Sequence, residues 1–149
     1  MEPHAPPLFA QPLATWERDG LKAALARAGL PADDLDEDRV LFWRFERDDV
    51  PVGFAGIEVH GTDALLRSLV TLPPVRLRGI GGAMVAKMEI EARARGANVI
   101  YLAAHGGSAF FARLGYAPCR RDRVPRAIAA AAPFADAGGT GATAMMKQI

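Results

Sequence analysis

The sequence predicts one α/β domain, and three observations carry that prediction. Runs of strand length rich in β-branched and aromatic residues, such as 40–47 and 52–59, alternate with stretches of helical period. One of those helical stretches, 79–95, follows the strand-like run 65–72 through a glycine-rich turn. The chain has 149 residues, 50% of them apolar, which suits one interior and leaves no room for a second. A single domain over 1–149 is therefore expected.

Taken in order, 8–12 reads as a first strand, and Thr15 is placed to cap a helix running to Ala28. Leu21, Leu25 and Ala28 mark its buried stripe, and Gly29 stops it. Residues 30–35 form a short polar turn or helical piece. The runs 40–47 and 52–59, separated by Asp48-Asp49-Val50-Pro51, read as a hairpin. His60-Gly61-Thr62-Asp63 then turns into the strand 65–72, which ends at Pro73-Pro74 because proline cannot continue a ladder. In the helix 79–95, Ile80, Met84, Met88 and Ala92 recur every four residues on one face, and Glu89–Arg93 and Glu91–Arg95 are expected as i,i+4 pairs on the wet side. Gly96 stops that helix. The almost wholly apolar 97–104 is a strand covered on both faces. The last third predicts a strand over 116–121, a helix over 124–132, a mobile glycine-rich loop over 135–141 and a closing strand over 142–148.

Composition narrows the function classes. The formal charge of +1 gives no electrostatic reason for nucleic acid or an anionic membrane as partner. A lone cysteine, Cys119, cannot form an internal disulfide and suits a reducing cytoplasm. No window has the apolar length of a membrane span, and 1–7 lacks the apolar centre of a signal peptide. His4, His60 and His105 are too scattered for ordinary metal-ligand spacing, so no metal is expected.

The turn Arg76-Leu77-Arg78-Gly79-Ile80-Gly81-Gly82 carries the chemistry. A helix N-terminus has unpaired amides and positive dipole potential, and glycines let a phosphate approach those amides. No Gly-Lys-Ser/Thr follows, which argues against a Walker loop. The third glycine of a dinucleotide fingerprint is also missing, since Ala83 and Met84 come after Gly82.

Arg76-x-x-Gly79-x-Gly81 between a strand and a helix resembles the acetyl-CoA signature of the GCN5-related N-acetyltransferases. Ser108-Ala109-Phe110-Phe111-Ala112-Arg113-Leu114-Gly115-Tyr116 is similar to that family's second marker, a short aromatic helix ending in glycine before the next strand. The resemblance implies a mixed, mainly antiparallel sheet of six or seven strands flanked by helices, with two central strands splayed at the cofactor. It also implies that acetyl-CoA is the co-substrate. Its pyrophosphate would rest on Arg76, Leu77, Arg78, Gly79, Gly81 and Gly82, its pantetheine along Leu69, Val70 and Thr71, and its thiol end near Ser108 and Phe111. A backbone amide near Leu69 would polarise the thioester carbonyl.

Glu58, Ser68 and Tyr116 are the candidate catalytic residues. Many members of the family protonate the leaving thiolate with a tyrosine where this chain has Phe111. Tyr116 or Ser108 could supply the hydroxyl instead, and a thiol of pKa about 8.5 leaves tolerably without one. An alkylamine is about one part in a thousand neutral at pH 7, a penalty near 4 kcal/mol unless a base assists. Glu58, on the strand face opposite Ile57 and Val59, is the first candidate base, followed by His60 and His105. Arg67 and His105 are candidate substrate-binding residues, Arg67 either for an anion or for a structural ion pair.

Within the family, segments 61–70 and 110–116, with Val124-Pro125-x-x-Ile128 and Phe134, resemble the subgroup named for arsenic-resistance gene clusters. That likeness implies acetylation of a small amine or an arsenical. The chain departs from the subgroup in carrying Gly138-Gly139-Thr140-Gly141 where a cysteine is expected. Two alternatives stay open: a noncatalytic acetyl-CoA-binding sensor, suggested by Phe111, and a peptide acetyltransferase with an open groove. The helix 124–132 with the glycine-rich loop would close over a small substrate or form a homodimer contact.

Overall fold

A computed structural model of the chain describes residues 8–29, 40–72, 79–131, 134 and 142–149. The expected turn at 30–35, Arg76 to Arg78 and the glycine-rich run 135–141 lie outside them. The strands are β1 (Phe9–Pro12), β2 (Val40–Arg47), β3 (Val50–His60), β4 (Asp63–Thr71), β5 (Val99–Ala104), β6 (Ala117–Pro118) and β7 (Thr143–Gln148). The α-helices are α1 (Asp19–Ala28), α2 (Ile80–Ala94), α3 (Ser108–Arg113) and α4 (Arg126–Ala129), with 3-10 turns at Thr15–Glu17 and Arg121–Arg123.

The strands form one sheet in the order β1-β2-β3-β4-β5-β7-β6. Every neighbouring pair is antiparallel except β4 with β5, which are parallel. Parallel strands need a crossover connection, and α2 supplies it. The mixed, mainly antiparallel sheet expected from the sequence is the sheet observed.

Helix α2 covers one face. Its stripe Ile80, Met84, Met88 and Ala92, joined by Val85, is buried against Trp43, Phe45, Ile57, Leu66, Ile100 and Met145. On the opposite face, Leu21 and Leu25 of α1 pack with Val40, Phe42 and Phe54. Beside them Val124, Ile128 and Phe134 cover Leu65, Tyr101 and Ala144.

Several boundaries differ from expectation for identifiable reasons. Asp48 and Asp49 both adopt left-handed backbone, φ 53° and 63°, making a tight two-residue turn that lets β3 resume at Val50. Pro51 is tolerated there because the β2–β3 register shifts between Phe45 and Glu46, a bulge that spares a ladder bond. Before α1, Thr15 begins the 3-10 turn and Ala14 sits at the cap, its amide donating to Glu17 Oε1 at 3.0 Å. Gly29, at φ 70°, closes α1 with its amide on the carbonyls of Leu25 and Ala26, as its position predicts. Ala28 is exposed, not part of the buried stripe. Strand β6 is only two residues, followed by a 3-10 turn where strand was expected, and α4 is one turn long. Glu91 is paired with both Arg95 (2.6 Å) and Lys87 (3.0 Å), and these hydrogen bonds, Arg95 first, hold its carboxyl below the usual range. Glu89 turns away from Arg93 toward β7, with consequences described below.

Candidate functional site

The site begins where β4 and β5 part. Only Asp63, Ala64 and Leu65 pair with Val99, Ile100 and Tyr101; past those rungs the two strands have no paired residues. Leu66 to Thr71 therefore turn one edge of backbone toward open space, while Leu102 to Ala104 stay paired with β7 on their far side. Into this wedge opens a cavity of about 760 Å³ lined by Leu66, Arg67, Ser68, Leu69 and Thr71 from β4, by 102–107, by Phe110 and Phe111, and by Ala28 at the rim.

A bulge shapes the β4 wall. Gly56 stands opposite Arg67 and Phe54 opposite Val70, so Ser68 and Leu69 together face Ala55. Ser68 takes φ 58°, a left-handed conformation that costs a serine roughly 1–3 kcal/mol and persists only where its surroundings hold it. The bulge keeps Arg67 and Val70 on the α1 face while Leu66 and Leu69 join the α2 core.

Beyond β4 the chain re-enters the described region at Gly79, whose φ of 82° caps α2 in a conformation a side chain would strain. Among the described residues no side chain caps α2, and as first-turn amides those of Ile80, Gly81 and Gly82 have no intrahelical acceptor. Gly81 has a second reason to lack a side chain, because a Cβ there would lie 3.0 Å from the Phe110 ring. The two sequence motifs thus touch: the aromatic helix α3 packs onto the glycine-headed end of α2. A glycine-headed helix end of this kind suits an anion such as a pyrophosphate; Arg76, Leu77 and Arg78 lie outside the described residues.

The remaining candidates separate into two groups. Arg67, Ser68, Leu69, Thr71, His105 and Phe111 meet around the cavity. Glu58, Val70, Ser108 and Tyr116 do not line it. Glu58 is buried behind Arg67: Oε1 shares a 2.8 Å hydrogen bond with His60 Nε2, and Oε2 lies 3.6 Å from Arg67 Nη1. Val70 packs against the α1 cluster.

Tyr116 is held elsewhere. Its hydroxyl donates to Glu89 Oε2 at 2.9 Å, and Lys147 Nζ donates to both Glu89 oxygens at 3.0 and 3.1 Å. Burial, then the Glu89 charge and hydrogen bond, push its phenol far above the usual tyrosine range. Its ring meets Phe111 edge-on at 5.8 Å, so Tyr116 supports a cavity wall without reaching the cavity. The native state keeps this proton to higher pH than the unfolded chain, whose phenol ionises near pH 10. The unfolded state then binds fewer protons, and stability falls as pH rises past about 10. Urea midpoints between pH 8 and 11 should show that decline, less steep in Tyr116→Phe. Tyr101, raised by burial and by Asp63 and Cys119, leaves a residual slope.

Sequence reasoning missed Phe110, the 102–104 wall and Ala28. The Phe110 contact was signalled by the spacing of the two motifs; the other two follow from where strands part, which no residue type announces. No helix among the described residues is long and apolar enough to cross a membrane. Among the same residues no group of three His, Cys, Asp or Glu is arranged to hold a metal.

Comparison with known proteins follows the same lines. The Acetyltransferase (GNAT) family matches residues 8–116. No protein of curated function matches the chain. An acetyltransferase from Streptococcus agalactiae superposes with a TM-score of 0.71 at 15% identity, covering 95% of this chain and 98% of that one. An aminoglycoside 6'-N-acetyltransferase complexed with coenzyme A gives 0.68 at 19%, covering 94% and 96%. N-acetylglutamate synthase from Neisseria gonorrhoeae, complexed with coenzyme A and N-acetyl-glutamate, gives 0.75 at 15%; the match covers 94% of this chain and 35% of that one. The chain thus spans about a third of the synthase, and at these identities the likeness is one of fold. With the wedge, the glycine-headed helix and the family match over most of its length, the chain belongs to the acetyltransferase (GNAT) family, whose acetyl donor is acetyl-CoA.

Proposed function

We propose that the chain transfers the acetyl group of acetyl-CoA to the amino nitrogen of a small molecule. The wedge carries this reading: the strand edge Leu66 to Thr71, not paired with β5, lines the cavity, and α2 beyond it begins at a glycine. Acetyl-CoA supplies a thioester whose C–S bond breaks as the new C–N bond forms. The Leu69 to Thr71 backbone supports an extended arm as a neighbouring strand would, with the Leu69 amide available to the carbonyl oxygen. Such placement is the largest share of the rate, up to roughly 7–11 kcal/mol in ideal alignment.

The acceptor's proton goes to His105, the imidazole that borders the cavity. Glu58, bonded to His60 and beside Arg67, does not line the cavity, which favours His105 for this role. The thiolate leaves without a tyrosine donor: Phe111 has no proton to give, and the Tyr116 phenol is tied to Glu89. Ser68 and Thr71 are the hydroxyl residues among those lining the cavity. Resemblance in 61–70 and 110–116 supports including aminophenyl arsenicals among the acceptors.

Thiol release from acetyl-CoA, followed across alkylamines, arylamines and aminophenyl arsenicals, tests the reading. At least one amine should raise thiol release well above the amine-free rate, and acetyl-CoA should bind in calorimetry. Binding without turnover on any amine would leave the sensor reading standing in its place.

A further inference from the structure

Helix α3 brings Phe110 and Phe111 to the cavity wall, yet none of its six residues is fully buried. A helix this short is marginal alone, so what it leans on sets its position. It leans on α2. Phe110 and Leu114 lie against Gly81 and Gly82, where an added Cβ would come within 3.0 and 3.5 Å of them. A further tie passes through Tyr116, which follows the helix and is buried. Its hydroxyl donates to Glu89 Oε2 at 2.9 Å, and Glu89 stands on α2 eight residues beyond Gly81, roughly 12 Å at the helical rise. The aromatic segment is thus fastened to α2 at two separated points.

The second point is polar and closely held. Lys147 Nζ donates to both Glu89 oxygens at 3.0 and 3.1 Å and lies 5.6 Å from the Tyr116 ring centre, so an ammonium balances the carboxylate that receives the hydroxyl. Gly115 leaves room for that lysine, since a Cβ there would lie 3.2 Å from Lys147 Cε. The rings pass the constraint on. Tyr116 meets Phe111 edge-on at 5.8 Å, and Phe111 meets Phe110 edge-on at 5.0 Å. For stability alone, a buried polar group of this kind can often be replaced by carbon at little cost. A satisfied network does something else: it fixes one arrangement where apolar contact would allow several.

We infer that Glu89 is a positioning residue for acetyl transfer: by holding the Tyr116 hydroxyl it fixes the Phe110–Phe111 wall against α2, and with it the acetyl end of the donor relative to the helix end that suits its phosphates. The inference rests on the acetyl-transfer reading above and adds to it a residue outside the cavity. Phe111 has no proton to give, so alignment carries more of the rate, and a misplacement near 1 Å can cost on the order of a hundredfold.

The test separates alignment from stability. Tyr116→Phe keeps the ring and loses the tie, so kcat with the best amine acceptor should fall about tenfold or more while KM for acetyl-CoA stays within about twofold. Glu89→Leu should match it, and the double variant should lose no more than either alone, as residues that act as one unit do. Glu89→Gln keeps an acceptor for the hydroxyl and should retain most of the unsubstituted kcat. If Glu89→Leu does not fold, judged by circular dichroism, Tyr116→Phe against Glu89→Gln decides. A kcat within about twofold in Tyr116→Phe, or a loss confined to KM or to the urea midpoint, would overturn the assignment and leave acetyl transfer standing. Amide hydrogen exchange reads the wall without turnover: with coenzyme A bound, the amides of Leu114 and Tyr116, which donate to the Phe111 carbonyl, should exchange at least about tenfold faster in Tyr116→Phe. No transfer to any amine would overturn the acetyl-transfer reading, and unchanged exchange would then overturn the role of Glu89 as well.

Discussion

Gly81→Glu is expected to abolish acetyl-CoA binding while leaving the domain folded. The position is the first turn of α2, where an acidic side chain suits the helix dipole, so the helix itself loses little. The new carboxylate, however, occupies the field and the amides that a pyrophosphate needs, and adds a negative charge against it. Its Cβ also starts 3.0 Å from Phe110, pressing α3 away from the helix end that the two motifs share. Calorimetry should show at least about a hundredfold loss of affinity, the order of two displaced charge-assisted contacts. Gly81→Ala is the control: the ring can swing by a few tenths of an ångström, and affinity should fall only a few-fold. Binding of Gly81→Glu within threefold of the unsubstituted protein would move the pyrophosphate site elsewhere.

Glu58→Ala carries the largest expected cost in stability, about 3 kcal/mol. Glu58 and Arg67 side chains are 5% and 0% exposed, so deleting the carboxylate removes a negative charge 3.6 Å from a buried guanidinium and leaves a void beside it. The urea midpoint reads this loss. Glu58→Leu combined with Arg67→Met should recover much of it, because removing both charges also removes the cost of burying them. A loss below about 1 kcal/mol in Glu58→Ala would show that Arg67 does not depend on Glu58 for its charge. That result would weaken the picture of a braced guanidinium.

What the residues disclosed in advance follows from how local each feature is. The hairpin, α2 and its stripe were legible because period and punctuation are properties of neighbouring residues: Ile80, Met84, Met88 and Ala92 can bury together only on a helix. The glycine turn was legible for the same reason. The Ser68 bulge was not, since a serine in left-handed backbone looks like any other serine until β3 pairs with β4. The sequence offers Tyr116 as a proton donor because nothing nearby in it reveals that Glu89 meets its hydroxyl and Lys147 meets Glu89. Strand alternation makes Glu58 the first candidate base by identifying a face, not what else occupies it; the β3–β4 register brings Arg67 alongside, and it is Arg67 that lines the cavity. Helix α4 and strand β6 came out shorter than expected because Pro118, Pro125 and the Arg121–Arg123 turn break their continuity.

The three rungs joining β4 to β5 have a thermodynamic meaning. They make the sheet two half-sheets, β1–β4 and β5–β7, fastened at one end and held at the other by the α2 core. A donor lying in the seam would act as a missing structural member as well as a reactant. Occupancy and folding are then linked by mass action: donor at a hundred times its dissociation constant would add about 2.7 kcal/mol to the stability of the whole domain. The domain's resistance to unfolding would therefore track the supply of the donor.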